Sequence, residues 1–127
     1  MASNRPLSPH LQIWKWGPHM LVSILHRITG DGMALVGLFI LVWWLAALAS
    51  GANYYNQFLS LIGSPIGIFV LIGLSWAFFT HVMSGIRHFI LDIGAGYELK
   101  NNRAWSILCP SLAIIATLGF WALIVSR

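Results

Sequence analysis

The chain has 127 residues, 58% of them hydrophobic and only 8% charged, with a net charge of +4. Soluble domains are about 25% charged, and a fold of this size cannot cover its surface with so few charges, so the composition excludes an ordinary soluble protein and reads as a membrane protein. The small positive charge gathers at the chain ends and one loop, which excludes a nucleic-acid surface, and the single Cys109 excludes an internal disulfide and a Cys-based metal site.

The opening stretch "MASNRPLSPHLQIWKW" has two prolines and no apolar core. It matches neither a secretory signal nor a Ser/Arg-rich transit peptide, so insertion through the first membrane helix is expected. Trp14 and Trp16, flanking Lys15, read as interfacial anchors, and "RPLSPH" as an extended segment. The first apolar run covers about residues 28–50, with a helix that begins as early as Met20. The second runs over 65–91, with Pro65 suited to a first helical turn, and the third over about 104–125. Each approaches or exceeds the roughly 20 residues that cross a bilayer as a helix, and lipid offers no partner for open backbone groups. The expectation is an all-α membrane protein, a single domain over 1–127. It has an N-terminal segment 1–20 and helices at about 21–50, 65–91 and 104–126, forming half of a helical bundle.

The connections orient these spans. The first, "GANYYNQFLSLIGS", carries no charge, and Tyr54 and Tyr55 suit an interface. The second, "DIGAGYELKNNR", holds Lys100 and Arg103, with Arg87 just before it, and the N-terminal segment holds Arg5, Lys15 and Arg27. By the positive-inside rule the N-terminus and second connection face the cytoplasm or mitochondrial matrix, and the first connection and C-terminus face outward.

Polar residues that remain near the spans carry the functional information, because an ionisable group in lipid costs roughly 2.5–3.5 kcal/mol on insertion scales. On the second span His81, Ser84, Gly85, His88 and Asp92 fall on one helical face, while Val82, Phe89 and Ile90 project elsewhere. With Asp92 at the boundary, a rise of about 1.5 Å per residue puts His81 about 16 Å deep. A histidine there can bond another helix, pack, relay protons or bind a metal or haem. The polar face, the small Gly85 and the second histidine favour a b-type haem, whose iron neutral imidazole ligates well. On the first span His26 sits at the edge, level with His88, about 10 Å from the depth of His81. His10 and His19 lie further out, and the third span has no histidine. If His81 binds haem iron with two imidazoles, the second comes from another polypeptide. Ser23 and Arg27 share a face, which Gly30 and Ala34 continue with small side chains. An arginine at a boundary can simply snorkel to headgroups, but with Ser23 and His26 beside it, it can also bond a quinone carbonyl and a haem propionate.

The stretches "RPLSPHLQIW", "SILHRITG" and "HVMSGIRHFILD" together resemble one family. It is the larger membrane-anchor, cytochrome b subunit of succinate dehydrogenase, respiratory complex II. The resemblance covers nearly the whole chain and implies roles by position. His81 matches the axial ligand of haem b, shared with a small anchor subunit that supplies the second histidine. Ser23 and Arg27 match the ubiquinone pocket, completed by the iron–sulfur subunit and the small anchor. Arg27, His26 and His88 match positions around the haem propionates, and Asp92 an acidic position near the quinone. Asp31 departs from the pattern, since family members usually place an apolar residue after the "TG"; it could pair with Arg27 one turn back or reach a partner helix. Succinate oxidation on flavin belongs to the flavoprotein subunit, since this chain has no dinucleotide fingerprint. The implied place is a bacterial inner membrane, the mitochondrial one being the alternative. Two rival readings are a haem-free structural anchor, and a small transporter or proton relay running through His81, His88 and Asp92.

Overall fold

Pro18 opens the first helix because its fixed φ suits an initial turn and its missing N–H would have had no partner there. Gly17 before it is extended. The computed structural model describes residues 15–127; Trp14, His10 and "RPLSPH" lie outside the described residues. Helix α1 covers Pro18–Gly32, a π-helical turn covers Met33–Gly37, and α2 covers Leu38–Ala49. Together they make one span of 32 residues. The helix thus begins ten residues before the apolar run at Ile28, and His26 lies two turns inside it rather than at its edge.

Gly51, at φ 96°, turns the chain back from α2 in a conformation that other residues rarely adopt. The uncharged first connection then forms a helix of its own, α3, Ala52–Ile62. One face of α3 is apolar, and Phe58 buries itself edge-on against Trp43 of α2, ring centroids 4.8 Å apart. Tyr54 is exposed.

Helix α4, Pro65–Asp92, starts with Pro65 in its first turn and is capped by Ser64, whose hydroxyl oxygen accepts from the Gly67 N–H at 3.2 Å. Helix α5 covers Leu99–Val125. It starts earlier than the apolar run, in "LKNNR", where the side chain of Asn101 donates to Glu98 at 2.9 Å. The polar first turns extend the helix beyond the apolar zone and shorten the connection from α4. Pro110 stands inside α5, an interruption that buried transmembrane helices tolerate.

The three long spans, Pro18–Ala49, Pro65–Asp92 and Leu99–Val125, are each long and apolar enough to cross a membrane. Helices α1, α4 and α5 pack mutually, and their shared interior is built from small and polar groups. Val22 and Thr29 of α1, Thr80, Ser84 and Arg87 of α4, and Ser106, Cys109, Ala113 and Thr117 of α5 are all buried. Large apolar side chains such as Leu35, Phe39, Phe69 and Ile115 point outward. This inversion follows from the solvent: lipid is as apolar as leucine, so close backbone approach and hydrogen bonds, not apolar burial, hold such helices together. Thr29, Ser106 and Thr117 return their hydroxyl protons to carbonyls one turn back, at 2.7, 2.6 and 2.7 Å. Trp121 Nε1 donates to Ser75 Oγ at 3.3 Å, tying the far halves of α4 and α5.

Cys109 is 3% exposed, and its thiol donates to the Met83 carbonyl at 3.4 Å. A membrane-permeant maleimide is therefore expected to label it only after denaturation. Labelling of the native protein as fast as a free thiol would contradict this packing.

Candidate functional site

Residues His81, Gly85 and His88 recur at intervals of four and three on α4 and so share one face. That face and His26 of α1 line an open cavity of about 450 Å³, completed by Val82, Ile86 and Phe89. The predicted polar face divides in two. Ser84 points not into the cavity but into the three-helix interior, where it is fully buried with Thr80 and Arg87. Asp92 is exposed at the end of α4. Val82 and Phe89, expected to project elsewhere, form the cavity rim because an opening this wide spans more of the helix surface than the polar stripe.

The expected offset of about 10 Å between His26 and His81 is not found. Their rings stack face to face, centroids 3.9 Å apart and 13° from parallel. His88 also approaches His26, with centroids 4.9 Å apart and rings tilted by 56°. The physical reason is the packing of α1 on α4, which sets the register between the two helices, and the missing Cβ of Gly30, which lets the His81 ring reach α1. The stack does not, however, make His26 and His81 a coaxial pair. Imidazole lone pairs lie in the ring planes, so rings stacked face to face do not aim their nitrogens at a common metal between them.

His81 Nδ1 lies 3.1 Å from the backbone carbonyl oxygen of His26. A carbonyl only accepts, so Nδ1 carries the proton and donates it. Nε2 is then the nitrogen with the free lone pair, the tautomer suited to a metal ligand whose orientation is fixed by the other ring nitrogen. Gly30 makes this contact possible. A Cβ there would stand 3.0 Å from His81 Cε1 and 3.3 Å from Nδ1. The Nδ1 of His26 is buried and has no hydrogen-bond partner among the described residues.

Ser23 is half-buried and Arg27 exposed on α1. Asp31 is also exposed, and it makes no ion pair with Arg27. Sequence reasoning did not anticipate the place of Arg87. Arg87 is 6% exposed, its guanidinium faces α5 rather than the cavity and donates from Nη2 to Asn102 Oδ1, while its Nε has no partner among the described residues. The signal was available in the spacing of Thr80, Ser84 and Arg87, which continues one stripe beside the histidine face.

The structure defines a multi-pass membrane bundle whose first two spans bring three imidazoles to one open cavity. Comparison places it more closely. Residues 1–120 match the family model described as succinate dehydrogenase/fumarate reductase transmembrane subunit, and the chain belongs to that family. It is 32% identical to the succinate dehydrogenase cytochrome b556 subunit of Paracoccus denitrificans, over 91% of this chain and 88% of that one. It is 37% identical to the cytochrome b556 subunit of Rickettsia prowazekii, over 94% and 92% of the two chains. The mitochondrial cytochrome b560 subunit of Mus musculus is 36% identical, over 96% of this chain and 73% of its own length.

Proposed function

We propose that this chain is the haem b-carrying membrane anchor of a succinate:ubiquinone oxidoreductase. It tethers the flavoprotein and iron–sulfur subunits and forms part of the site where ubiquinone is reduced. The single observation that carries the reading is His81 itself: its Nδ1 is committed to a backbone carbonyl, so Nε2 is left to the open cavity's ligand. The residues fit a haem. The cavity has a small residue, Gly85, in its floor, apolar walls in Val82, Ile86 and Phe89, and a buried, unpartnered Nδ1 on His26.

His81 Nε2 would hold the haem iron from this chain, with the second histidine supplied by the small anchor subunit. The support for this division is the face-to-face stacking of His26 on His81, not a difference in depth. When bound, the haem supplies a one-electron store beside the quinone. His26, His88 and Arg27 neutralise its propionates. Arg27 also sets a fixed positive charge where negative charge grows on a quinone oxygen, and Ser23 donates a hydrogen bond there. Asp92 stands near the quinone end. The whole chain acts as one anchor unit with residues 1–20 on the cytoplasmic side of a bacterial inner membrane, as the charges of Arg5, Lys15, Lys100 and Arg103 favour.

The test is to purify the tagged chain from native membranes in mild detergent, identify co-purifying chains and record a reduced-minus-oxidised spectrum. Flavin and iron–sulfur subunits and a b-type band are expected, and His81→Leu is expected to abolish that band. A colourless complex would leave the haem-free anchor. A band that survives in His81→Leu would remove the ligand assignment. A coloured chain that travels alone would overturn the role as an anchor.

A further inference from the structure

The geometry points to Thr29 and Gly30 as positioning residues that set the donor strength and orientation of His81. The inference rests on the reading of His81 as a haem ligand and goes beyond it, to the neighbours that tune it. Three observations meet on one turn of α1.

First, the His26 carbonyl already closes a helical turn, and a helix interior normally screens such an oxygen from neighbouring side chains. Here the residue one turn on is glycine, and the missing Cβ is what lets the His81 ring reach within 3.1 Å of that oxygen. With alanine at position 30 the ring would need to shift by a few tenths of an ångström at Cε1 and Nδ1, since both contacts become tighter than ordinary packing.

Second, Thr29 Oγ1 lies 3.5 Å from the same Nδ1. Its own proton is committed to the Leu25 carbonyl at 2.7 Å, with the His26 carbonyl at 3.1 Å as the alternative. What Thr29 turns toward the imidazole is therefore a lone pair. Nδ1–H faces two acceptors, a strong one at His26 and a long, secondary one at Thr29.

Third, Thr29 is 3% exposed, so no competing solvent weakens the contact, and a hydrogen bond in a low-dielectric interior is electrostatically stronger than in water. Acceptors on Nδ1–H push electron density toward Nε2 and make it a more basic ligand. A more basic ligand stabilises the ferric over the ferrous state and lowers the reduction potential. Thr29 thus holds the potential down, and Gly30 holds the ring where both acceptors can act.

The test uses the intact complex in detergent, with a redox titration of the b-type band and low-temperature electron paramagnetic resonance of the oxidised haem. Thr29→Val keeps the shape and removes the lone pair. The expected result is full haem content with a potential above wild type, while Thr29→Ser stays at the wild-type value. Gly30→Ala, which raises helix propensity and so does not weaken α1, is expected to change the low-spin resonance signature or reduce haem occupancy. Equal potentials in wild type, Thr29→Ser and Thr29→Val, with an unchanged signature in Gly30→Ala, would overturn the inference. Survival of the band in His81→Leu is a different failure: it removes the ligand reading itself. If Thr29→Val does not assemble, Thr29→Ala gives the same comparison with Thr29→Ser, and an unshifted potential there counts against the proposal.

Discussion

Replacing Arg27 with alanine is expected to lower succinate-driven quinone reduction about 10²-fold or more, the usual cost of removing a donor aimed at developing negative charge. Succinate oxidation with an artificial acceptor that takes electrons from the soluble subunits should stay near wild type. Arg27 is exposed and makes no ion pair among the described residues, so its loss leaves no described buried partner stranded and costs the fold little. Its charge is free for a ligand or a partner subunit. Ser23→Ala should act in the same direction but by less, since a neutral hydrogen bond contributes about 1 kcal/mol. Equal losses in both assays would assign Arg27 to assembly instead of quinone chemistry. No loss in either would make it a headgroup contact only.

Asn102→Leu is expected to destabilise the bundle by about 1.5–3 kcal/mol, and more than Arg87→Met does. The bond from Arg87 Nη2 to Asn102 Oδ1 joins α4 to α5, and a hydrogen bond to a charged group falls in that range. The two substitutions differ in what they leave behind. Asn102→Leu strands the guanidinium of a residue that is 6% exposed and whose Nε already has no partner among the described residues. Arg87→Met removes the charge and leaves a neutral, half-buried amide on the otherwise exposed first turns of α5, near the end of the span. Removing one member of a buried charged pair is costly because the other charge stays uncompensated, whereas an apolar replacement is often close to neutral. Thermal denaturation of the purified complex measures the order. The reverse order would show that Arg87 acts through its charge on something outside the helix pair.

Much of this could be read from residues alone. The three spans follow from runs of apolar side chains, a local property that no packing detail alters, and the opening turns follow from Pro18, Ser64 and Pro65. The same holds for the family: "SILHRITG" and "HVMSGIRHFILD" are local strings. Helix α3 was harder to read, because "GANYYNQFLSLIGS" has no charge pattern and its helicity depends on Phe58 finding Trp43.

What the sequence determined by itself was the class of molecule, the number of spans and the short set of polar residues worth asking about. Only the tertiary structure decided how those residues meet. It placed His26 on His81 instead of about two turns away, turned Ser84 from the histidine face into the bundle interior beside Arg87, and brought Thr29 and Gly30 under the imidazole. The reason is that hydropathy acts residue by residue along one helix, while depth and rotation are relative quantities between two helices. Where α1 starts, how closely small residues let it approach α4, and which stripe α5 covers are set jointly by all three helices.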